Sequence, residues 1–300
     1  MLQALKYVLT HRLKRYVTYL FRYPAWRWQS RQPRRLTLQT QQGVFTFYSN
    51  DSGIGRYLFC FGEYESDLTT GVIDLLKANG RLTPSSILLD VGANIGTTCI
   101  SVVRSQAIRQ AIAIEPVPAN FELLQKNIGD NQLTQQIVAR QLAISTSSDS
   151  VTIELSPNLH GDHRVRMQPS TAHMQELFHE GARQTISVPA VTLDQLLTQL
   201  SVKPADISLV WIDVQGHEGH VIESGHDLFA HRPPTMIEVW RYGIERSGMS
   251  MRRFFEIISG YWSTYYLWQN GQFTKHAIAE MPKLLEVLQP SAFENILLMD

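Results

Sequence analysis

The chain is poor in cysteine, in long apolar runs and, over its first fifty residues, in acids. Only two cysteines occur among 300 residues. Cys60 and Cys99 form no metal-ligand pattern, and both read as reduced thiols in a cytosolic protein. No stretch reaches the roughly 18 apolar residues that a membrane span needs. A signal peptide is not expected, because Lys6, Arg12, Lys14 and Arg15 interrupt the apolar N-terminal run. A transit peptide would share the Arg-rich, acid-free start but would also be rich in Ser, which this start is not. There is no internal repeat and no low-complexity segment. Residues 1–50 hold nine Lys and Arg and no Asp or Glu, so a chain of net charge zero carries its acidic excess after residue 50. At 44% hydrophobic and 18% charged, the composition is that of a globular chain with ample core: one large domain with an appendage.

The basic start is patterned. Leu2, Leu5, Leu9, Leu13, Tyr16 and Leu20 recur at helical spacing, with Lys and Arg around the other side. Phe21, Tyr23, Trp26 and Trp28 follow. Two readings stand: a helix lying on an anionic membrane surface through residues 1–35, or a helix that packs its stripe on the domain and shows its charges to water. Residues 36–48 alternate as a β-hairpin. The chain therefore divides into a basic amphipathic arm and hairpin, residues 1–50, and a domain over residues 51–300. Residues 51–62 read as a glycine-rich loop, and 64–79 as a helix stopped by Gly80.

From residue 86 onward, strands and helices alternate. The pattern predicts strands at 86–91, 110–115, 137–144, 151–155, 186–191, 207–214 and 235–240. It predicts helices at 95–106, 118–129, 192–200 (with Thr192 as N-cap) and 217–230. Residues 156–185 are polar and histidine-rich, a long connection of the kind that is usually functional or mobile. Beyond 240 come a helix (250–259), an aromatic strand (261–268), an Asn270-Gly271 turn, a helix (280–288) and a last strand (294–299). The order implies a doubly wound α/β sheet, and such sheets bind ligands beyond the carboxyl ends of their strands. The residues to suspect are those at strand tips: Asp90, Glu115, Ala143, Asp213 and Glu238.

The dinucleotide fingerprint G-x-G-x-x-G is also absent. In its place stands Leu89-Asp90-Val91-Gly92-Ala93-Asn94-Ile95-Gly96-Thr97, a strand entering a glycine turn and then a helix. Gly92 and Gly96 let the backbone bend and approach a ligand, with the free N–H groups of the next helix facing it. Glu115 ends the next strand, before Pro116, where a carboxylate can accept hydrogen bonds from both hydroxyls of a ribose. A pyrophosphate would meet Asp90 as like charge. S-adenosylmethionine (SAM), with no phosphate, an ammonium and a cationic sulfur, suits these acids. The cofactor-binding set expected is Asp90, Gly92, Ala93, Asn94, Gly96, Thr97, Glu115, Pro116, Ala143, Ile144 and Asp213.

For catalysis the candidates are Asp213, at the end of a buried strand before the Gly216 turn, and His163, in the polar connection His160-Gly161-Asp162-His163-Arg164. Either group, or a metal held by one of them, could take or polarise a substrate proton. Asp213 could accept a proton, bind the SAM ammonium or cap the following helix; His163 has the ordinary pKa of a proton acceptor. His217 and His220 are three apart, with Asp213 the only third zinc ligand in reach, and Glu218 suits a helix start through the dipole. Asp213 and Glu238 could hold Mg2+ weakly; no metal site is assigned.

Taken together, the sequence resembles the FkbM-type family of SAM-dependent O-methyltransferases. The matching residues are Leu89–Gly96, Glu115-Pro116-Val117-Pro118, Leu123 to Asn127, Ala143-Ile144, Val191-Thr192-Leu193-Asp194, Trp211-Ile212-Asp213-Val214-Gln215-Gly216-His217-Glu218, and the strand from Pro234 to Glu238. Where the family commonly has Lys before the Ile-Asp pair, this chain has Trp211. The resemblance covers residues 85–240. It implies a class I methyltransferase fold (a Rossmann-like, doubly wound, mostly parallel sheet, here with an N-terminal helical and hairpin extension). It also implies SAM as donor and a hydroxyl acceptor on a sugar, glycolipid or natural product. Two other functions are compatible: a non-catalytic, membrane-associated assembly protein of the same fold, or an RNA methyltransferase. A nucleic-acid partner is not expected, because the basic arm lacks the base-stacking order of any recognised module. The expected setting is cytoplasmic; peripheral contact of residues 1–35 with an anionic membrane is the alternative to the favoured reading of an arm packed on the domain. The acceptor and the oligomeric state are not readable.

Overall fold

The computed structural model describes residues 17–146, 149–166 and 180–300. The stripe from Leu2 to Tyr16 and residues 167–179 of the polar connection lie outside the described residues. In chain order, a helix over 17–29 (α1) precedes a hairpin of β1 (Arg35–Gln39) and β2 (Val44–Tyr48). Helices α2 (Ile54–Phe61) and α3 (Ser66–Ala78) lead into β3 (Ile87–Val91), α4 (Thr97–Arg104) and β4 (Gln110–Ile114). Next come α5 (Pro118–Asp130), β5 (Ile137–Arg140), β6 (Ala143–Ile144), β7 (Ser150–Leu155), β8 (Arg164–Val165) and β9 (Gln184–Val191). Helix α6 (Leu193–Gln199), β10 (Ile207–Ile212), α7 (Glu218–Glu223), α8 (His226–Phe229) and β11 (Thr235–Val239) follow. The last elements are α9 (Arg241–Arg246), α10 (Met251–Tyr261), β12 (Thr264–Gln269), β13 (Gln272–Ala277), α11 (Met281–Val287) and β14 (Glu294–Leu298).

The main sheet has eight strands in the order β13-β12-β14-β11-β10-β3-β4-β5. Strands β11, β10, β3, β4 and β5 run parallel, while β14, β12 and β13 add an antiparallel edge. Successive side chains of a strand point to opposite faces, and here both faces are dry. Leu88, Ala113, Leu209 and Met236 enter one core with α2, α3, α4 and α5. Leu89, Ile112, Val210 and Ile237 enter the other with α6, α7, α8 and α10. That is why these strands read as continuous apolar runs. The class I methyltransferase architecture expected from the sequence is present.

The N-terminal hairpin is part of the first core: Phe45 and Phe47 are fully buried. Its free edge is closed by two side chains one turn apart, Asn127 on α5 and Asn131 at its C-cap. Asn127 accepts from the Thr46 N–H (2.7 Å) and donates to the Thr46 and Ile95 carbonyls (3.1 and 2.9 Å). Asn131 accepts from the Val44 N–H (2.9 Å) and donates to the Val44 carbonyl (2.7 Å). These side chains stand in for a missing strand, satisfying backbone groups that would otherwise be buried without partners.

Four expected elements differ. Residues 51–62 contain helix α2, not only a loop. Its glycine reflects packing, since a Cβ on Gly55 would stand 2.9 Å from the Phe47 ring. The expected strand 137–144 breaks after Arg140; β6 leaves the main sheet and pairs in parallel with β9, and neither Gly nor Pro marks the break. The expected helix 217–230 is interrupted at Ser224-Gly225. Residues after the Asn270-Gly271 turn form β13, paired back on β12. By contrast, Thr192 caps α6 through a reciprocal capping box with Gln195, as its sequence position implies. Strands β6, β9, β7 and β8 form a separate four-stranded sheet, which carries the polar connection. Cys60 and Cys99 are buried free thiols.

Candidate active site

At the carboxyl ends of the parallel strands lies a cavity of about 350 Å³, within the range of small-molecule sites. Its floor is the glycine turn. Val91 and Ile114 end their strands side by side, and the Gly92 and Ala93 N–H groups both donate to the Ile114 carbonyl (2.9 and 2.8 Å). Gly92 is at φ +89° and packs against the next strand end: a Cβ there would stand 1.9 Å from the Asp213 carbonyl oxygen. Only glycine fits, on both conformational and steric grounds.

Glu115 holds the turn from the neighbouring strand. It is 4% exposed, and its two oxygens accept from the Asn94 N–H (3.0 Å) and the Val117 N–H (2.8 Å). Each oxygen keeps further acceptor capacity, and the residue lines the cavity. Burial pushes its pKa up to about 7 despite those two N–H bonds.

Strand β10 brings Asp213 to the next tip, and β11 brings Glu238 beside it. Gln215, at φ 55°, donates its amide to both, at 2.8 Å to Asp213 Oδ1 and 3.2 Å to Glu238 Oε1. Burial raises the pKa of both acids, and for Glu238 the Asp213 charge adds to it. Two carboxyls this close hold on to a proton. Glu218 fixes the turn behind them: its Oε1 accepts from the Val214 and Gly216 N–H groups (3.1 and 3.2 Å). Gly216 has to be glycine, since a Cβ would overlap the Gly243 backbone.

Of the expected site residues, Gly92, Asn94, Glu115, Pro116, Ala143, Ile144, His163 and Asp213 line the cavity. Asp90, Ala93, Gly96 and Thr97 are not on its wall and act from behind it. Asp90 is 1% exposed, and its Oδ2 accepts from the Cys99 N–H (3.1 Å), pinning the first turn of α4. Burial pushes its pKa up to about 7. The proton-accepting role expected of His163 is corrected by a hydrogen bond. Its Nδ1 accepts from the Ser156 N–H (3.0 Å), so the neutral ring carries its proton on Nε2 and offers a donor. Burial and the neighbouring His160 lower its pKa to about 4.

The structure adds residues that no motif marked. Segment 156–163 straps across the cavity. The His160 carbonyl accepts from the Asn94 and Asn120 side-chain amides (2.8 and 3.1 Å), and its N–H donates to Asp51 Oδ1 (3.1 Å). Asp51 also accepts from Gly53 and Gly55 (3.0 and 2.8 Å), so one buried carboxylate starts α2 and anchors the strap. Tyr64, Glu65, Gln215 and Trp240 complete the wall near Asp213. Beyond the strap, Arg164 bonds Asp162 (2.6 Å) and Glu180 (3.1 Å) and lies over the Trp240 ring at 4.7 Å. Arg246 reaches Glu154 (2.8 Å), and the Tyr242 hydroxyl donates to Glu180 (2.7 Å). This largely buried network locks the small sheet to α9. Removing one member would leave a buried charge uncompensated.

His217 bonds Ser145 Oγ (3.1 Å) and stacks on His220 at 4.3 Å. Among the described residues, no group of three or more His, Cys, Asp or Glu could hold a metal ion.

The residues fit SAM on one observation: at the cavity wall beside Glu115, Asn94 Oδ1 and Asn120 Oδ1 are buried with no partner. The match to the methyltransferase FkbM domain spans residues 90–261. The chain belongs to the FkbM methyltransferase family. This FkbM chain is 25% identical over 159 residues to methyltransferase sdnD of Sordaria araneosa, covering 48% of this chain and 61% of that protein. Among solved structures, a Bacillus cereus O-methyltransferase in complex with SAH aligns at TM-score 0.40 and 13% identity, covering 79% of this chain and 82% of that one. The B. subtilis M1A22 tRNA methyltransferase TrmK aligns at TM-score 0.38 and 11% identity, covering 77% of this chain and 65% of that one.

The site geometry gives Glu115 a measurable signature. On the expectation that Glu115 accepts from a ribose, its hydroxyls and a cationic ligand would favour the ionised carboxylate, so binding would draw a proton off Glu115 below its pKa. SAM affinity is expected to rise with pH up to about 7, by up to about tenfold per unit for one proton, and to level off above. Glu115→Ala should weaken binding by about 1.5–3 kcal/mol, the worth of charge-assisted hydrogen bonds, and flatten the profile. Calorimetric titration across this pH range, with a melting curve of the variant, checks both.

Proposed function

We propose that this FkbM family member is a SAM-dependent O-methyltransferase acting on a hydroxyl of a sugar, a glycolipid or a natural product. The observation that carries the reading is the order of groups along the sheet edge. From β11 to β4 the tips present Glu238, Asp213, the Gly92–Asn94 turn and Glu115, and past the end of β5 stand the apolar Leu142-Ala143-Ile144. Five strands at ~4.8 Å spacing make a row roughly 19 Å long. The apolar end suits adenine, Glu115 the ribose diol, and the glycine turn the close passage of the methionyl part. The acceptor is then left beside Asp213 and Glu238. SAM, when bound, supplies a methyl group on a cationic sulfur.

The chain's own residues do the rest. Asp213 takes the acceptor's hydroxyl proton as the new carbon–oxygen bond forms and the carbon–sulfur bond breaks. Gln215 holds Asp213 in place through its amide, while burial keeps the Asp213 pKa high against that hydrogen bond, which makes it a stronger base. Tyr64, Trp240 and the strap exclude water, and His163 Nε2 offers a hydrogen bond. Carboxylates accept from hydroxyls and repel phosphates, which favours a neutral polyol over RNA.

The test is calorimetric titration with SAM, followed by transfer of a labelled methyl group to hydroxylated metabolite and lipid extracts. Stoichiometric binding and a base-resistant, ether-linked product are expected. Absence of SAM binding would end this reading; binding without transfer to any fraction would leave a non-catalytic member of the fold.

A further inference from the structure

Helix α1 has two apolar sides. Tyr19, Tyr23 and Trp26 face inward: Trp26 is 4% exposed, set against Phe47 and Phe59 at 6.4 and 5.5 Å, and Tyr19 stacks on Phe61 at 5.7 Å. Arg22 ties the helix down by donating to the Phe59 carbonyl (3.1 Å). The other side is uncovered. Val17, Leu20, Phe21 and Trp28 are exposed by 42, 53, 81 and 63%, and Pro24 lies among them, also exposed. At 3.6 residues per turn, these five positions fall within roughly 100° of arc. A helix apolar on opposite sides should be covered on both, and contiguous exposed apolar surface marks an interaction site.

Charge identifies what covers it. Arg27, Arg31 and Arg34 follow along the same stretch, with Arg34 over the Trp28 ring at 5.8 Å, while Arg35 beyond them is paired with Glu122. No acid occurs anywhere in residues 1–50. The sequence carries further apolar residues ahead of the described helix, at Leu2, Leu5, Leu9 and Leu13. No helix among the described residues is long and apolar enough to cross a membrane. An aromatic and aliphatic stripe with cations beside it and no acids is the chemistry of a helix lying in the plane of an anionic bilayer.

We infer that the outer side of α1 seats this protein on an anionic lipid surface. The inference is independent of the catalytic reading. One helix, α2, separates α1 from the cavity: α2 meets α1 through Phe59 and Phe61 and meets the cavity through Ile54. The seat therefore sets how the cavity stands relative to the lipid headgroups.

The experiment is flotation of the full chain with vesicles of phosphatidylcholine plus phosphatidylserine, or of phosphatidylcholine alone. The protein should float with the mixed vesicles, release as salt is raised, and stay down with phosphatidylcholine alone. The triple variant Leu20→Ser, Phe21→Ser, Trp28→Ser replaces only exposed side chains. It should lose at least about tenfold in vesicle affinity, with SAM affinity and melting temperature unchanged. Arg27→Glu with Arg31→Glu should lower the salt dependence. Failure to float with mixed vesicles overturns the proposal, as does a triple-Ser variant that floats like the parent. A concentration-dependent dimer broken by the same triple variant, or retention on RNA without flotation, would give the surface to a second copy or to nucleic acid instead.

Discussion

Asp213→Asn is expected to lower the rate of methyl transfer by about 10²- to 10⁴-fold, the usual contribution of a positioned general base, with SAM affinity changed by little. Asp213 stands at the tip of the central strand, its backbone N–H fixed to the Val91 carbonyl (3.0 Å), and its Oδ1 accepts from Gln215. An asparagine can keep both contacts, because its own carbonyl oxygen replaces Oδ1. What it cannot do is take a proton. A loss of turnover with unchanged melting temperature and substrate KM would assign the proton transfer to Asp213. The parent rate should rise with pH through the raised pKa of the Asp213–Glu238 pair, because only the ionised base is competent, and the variant should lose that limb. Single-turnover rates of both proteins across pH provide the check; an unchanged rate would remove Asp213 from the mechanism.

Gly92→Ala should have the largest effect on the folded state. The added methyl group meets the Asp213 carbonyl oxygen at 1.9 Å and Val214 Cγ1 at 3.2 Å. Neither neighbour can yield cheaply. Asp213 is held by β3, and Gly92 is held by β4 through the Ile114 carbonyl, so relief means parting strand ends that the sheet keeps together. Left-handed backbone adds about 1–2 kcal/mol for a residue with a Cβ, and overpacking typically adds 1–3 kcal/mol. A loss of about 2–5 kcal/mol follows, or roughly 4–20 °C in melting temperature for a domain of this size, with SAM binding abolished. Gly129→Ala is the control. It lies inside α5 with nothing within 4 Å of the added carbon, and it should be neutral or stabilising by about 0.4–1 kcal/mol. Thermal melts of both variants decide the matter; equal melting temperatures would refute the account of the turn.

The parts of the site legible in the sequence share one property: local chemistry dictates them. Leu88 to Val91 and Leu209 to Ile212 can only be strands buried on both faces. Gly92 and Gly216 are required wherever such strands end in a tight turn against a neighbour. Glu115 and Asp213 are the acids that end those runs. What was missed depends on contacts distant in sequence. Helix α2 read as a loop because Gly53 and Gly55 are usual loop residues; Asp51 and the Phe47 ring make them part of a helix start. The 137–144 run read as one strand because its apolar pattern continues; pairing with β9 takes Ala143 and Ile144 out of the main sheet. His163 read as a base because its composition allows it; the Ser156 N–H takes the nitrogen that a base would need. The buried ions of Asp162, Arg164, Glu180 and Arg246 show no spacing rule at all.

By itself, the sequence determined the strand runs, the glycine bends and the acids at their tips, because hydrophobic burial on two faces and the sterics of a Cβ act residue by residue. Only the tertiary structure decided which of those residues share a cavity, which nitrogen of His163 is free, and which side of α1 stays uncovered. Each of these depends on neighbours that the fold brings together from far along the chain.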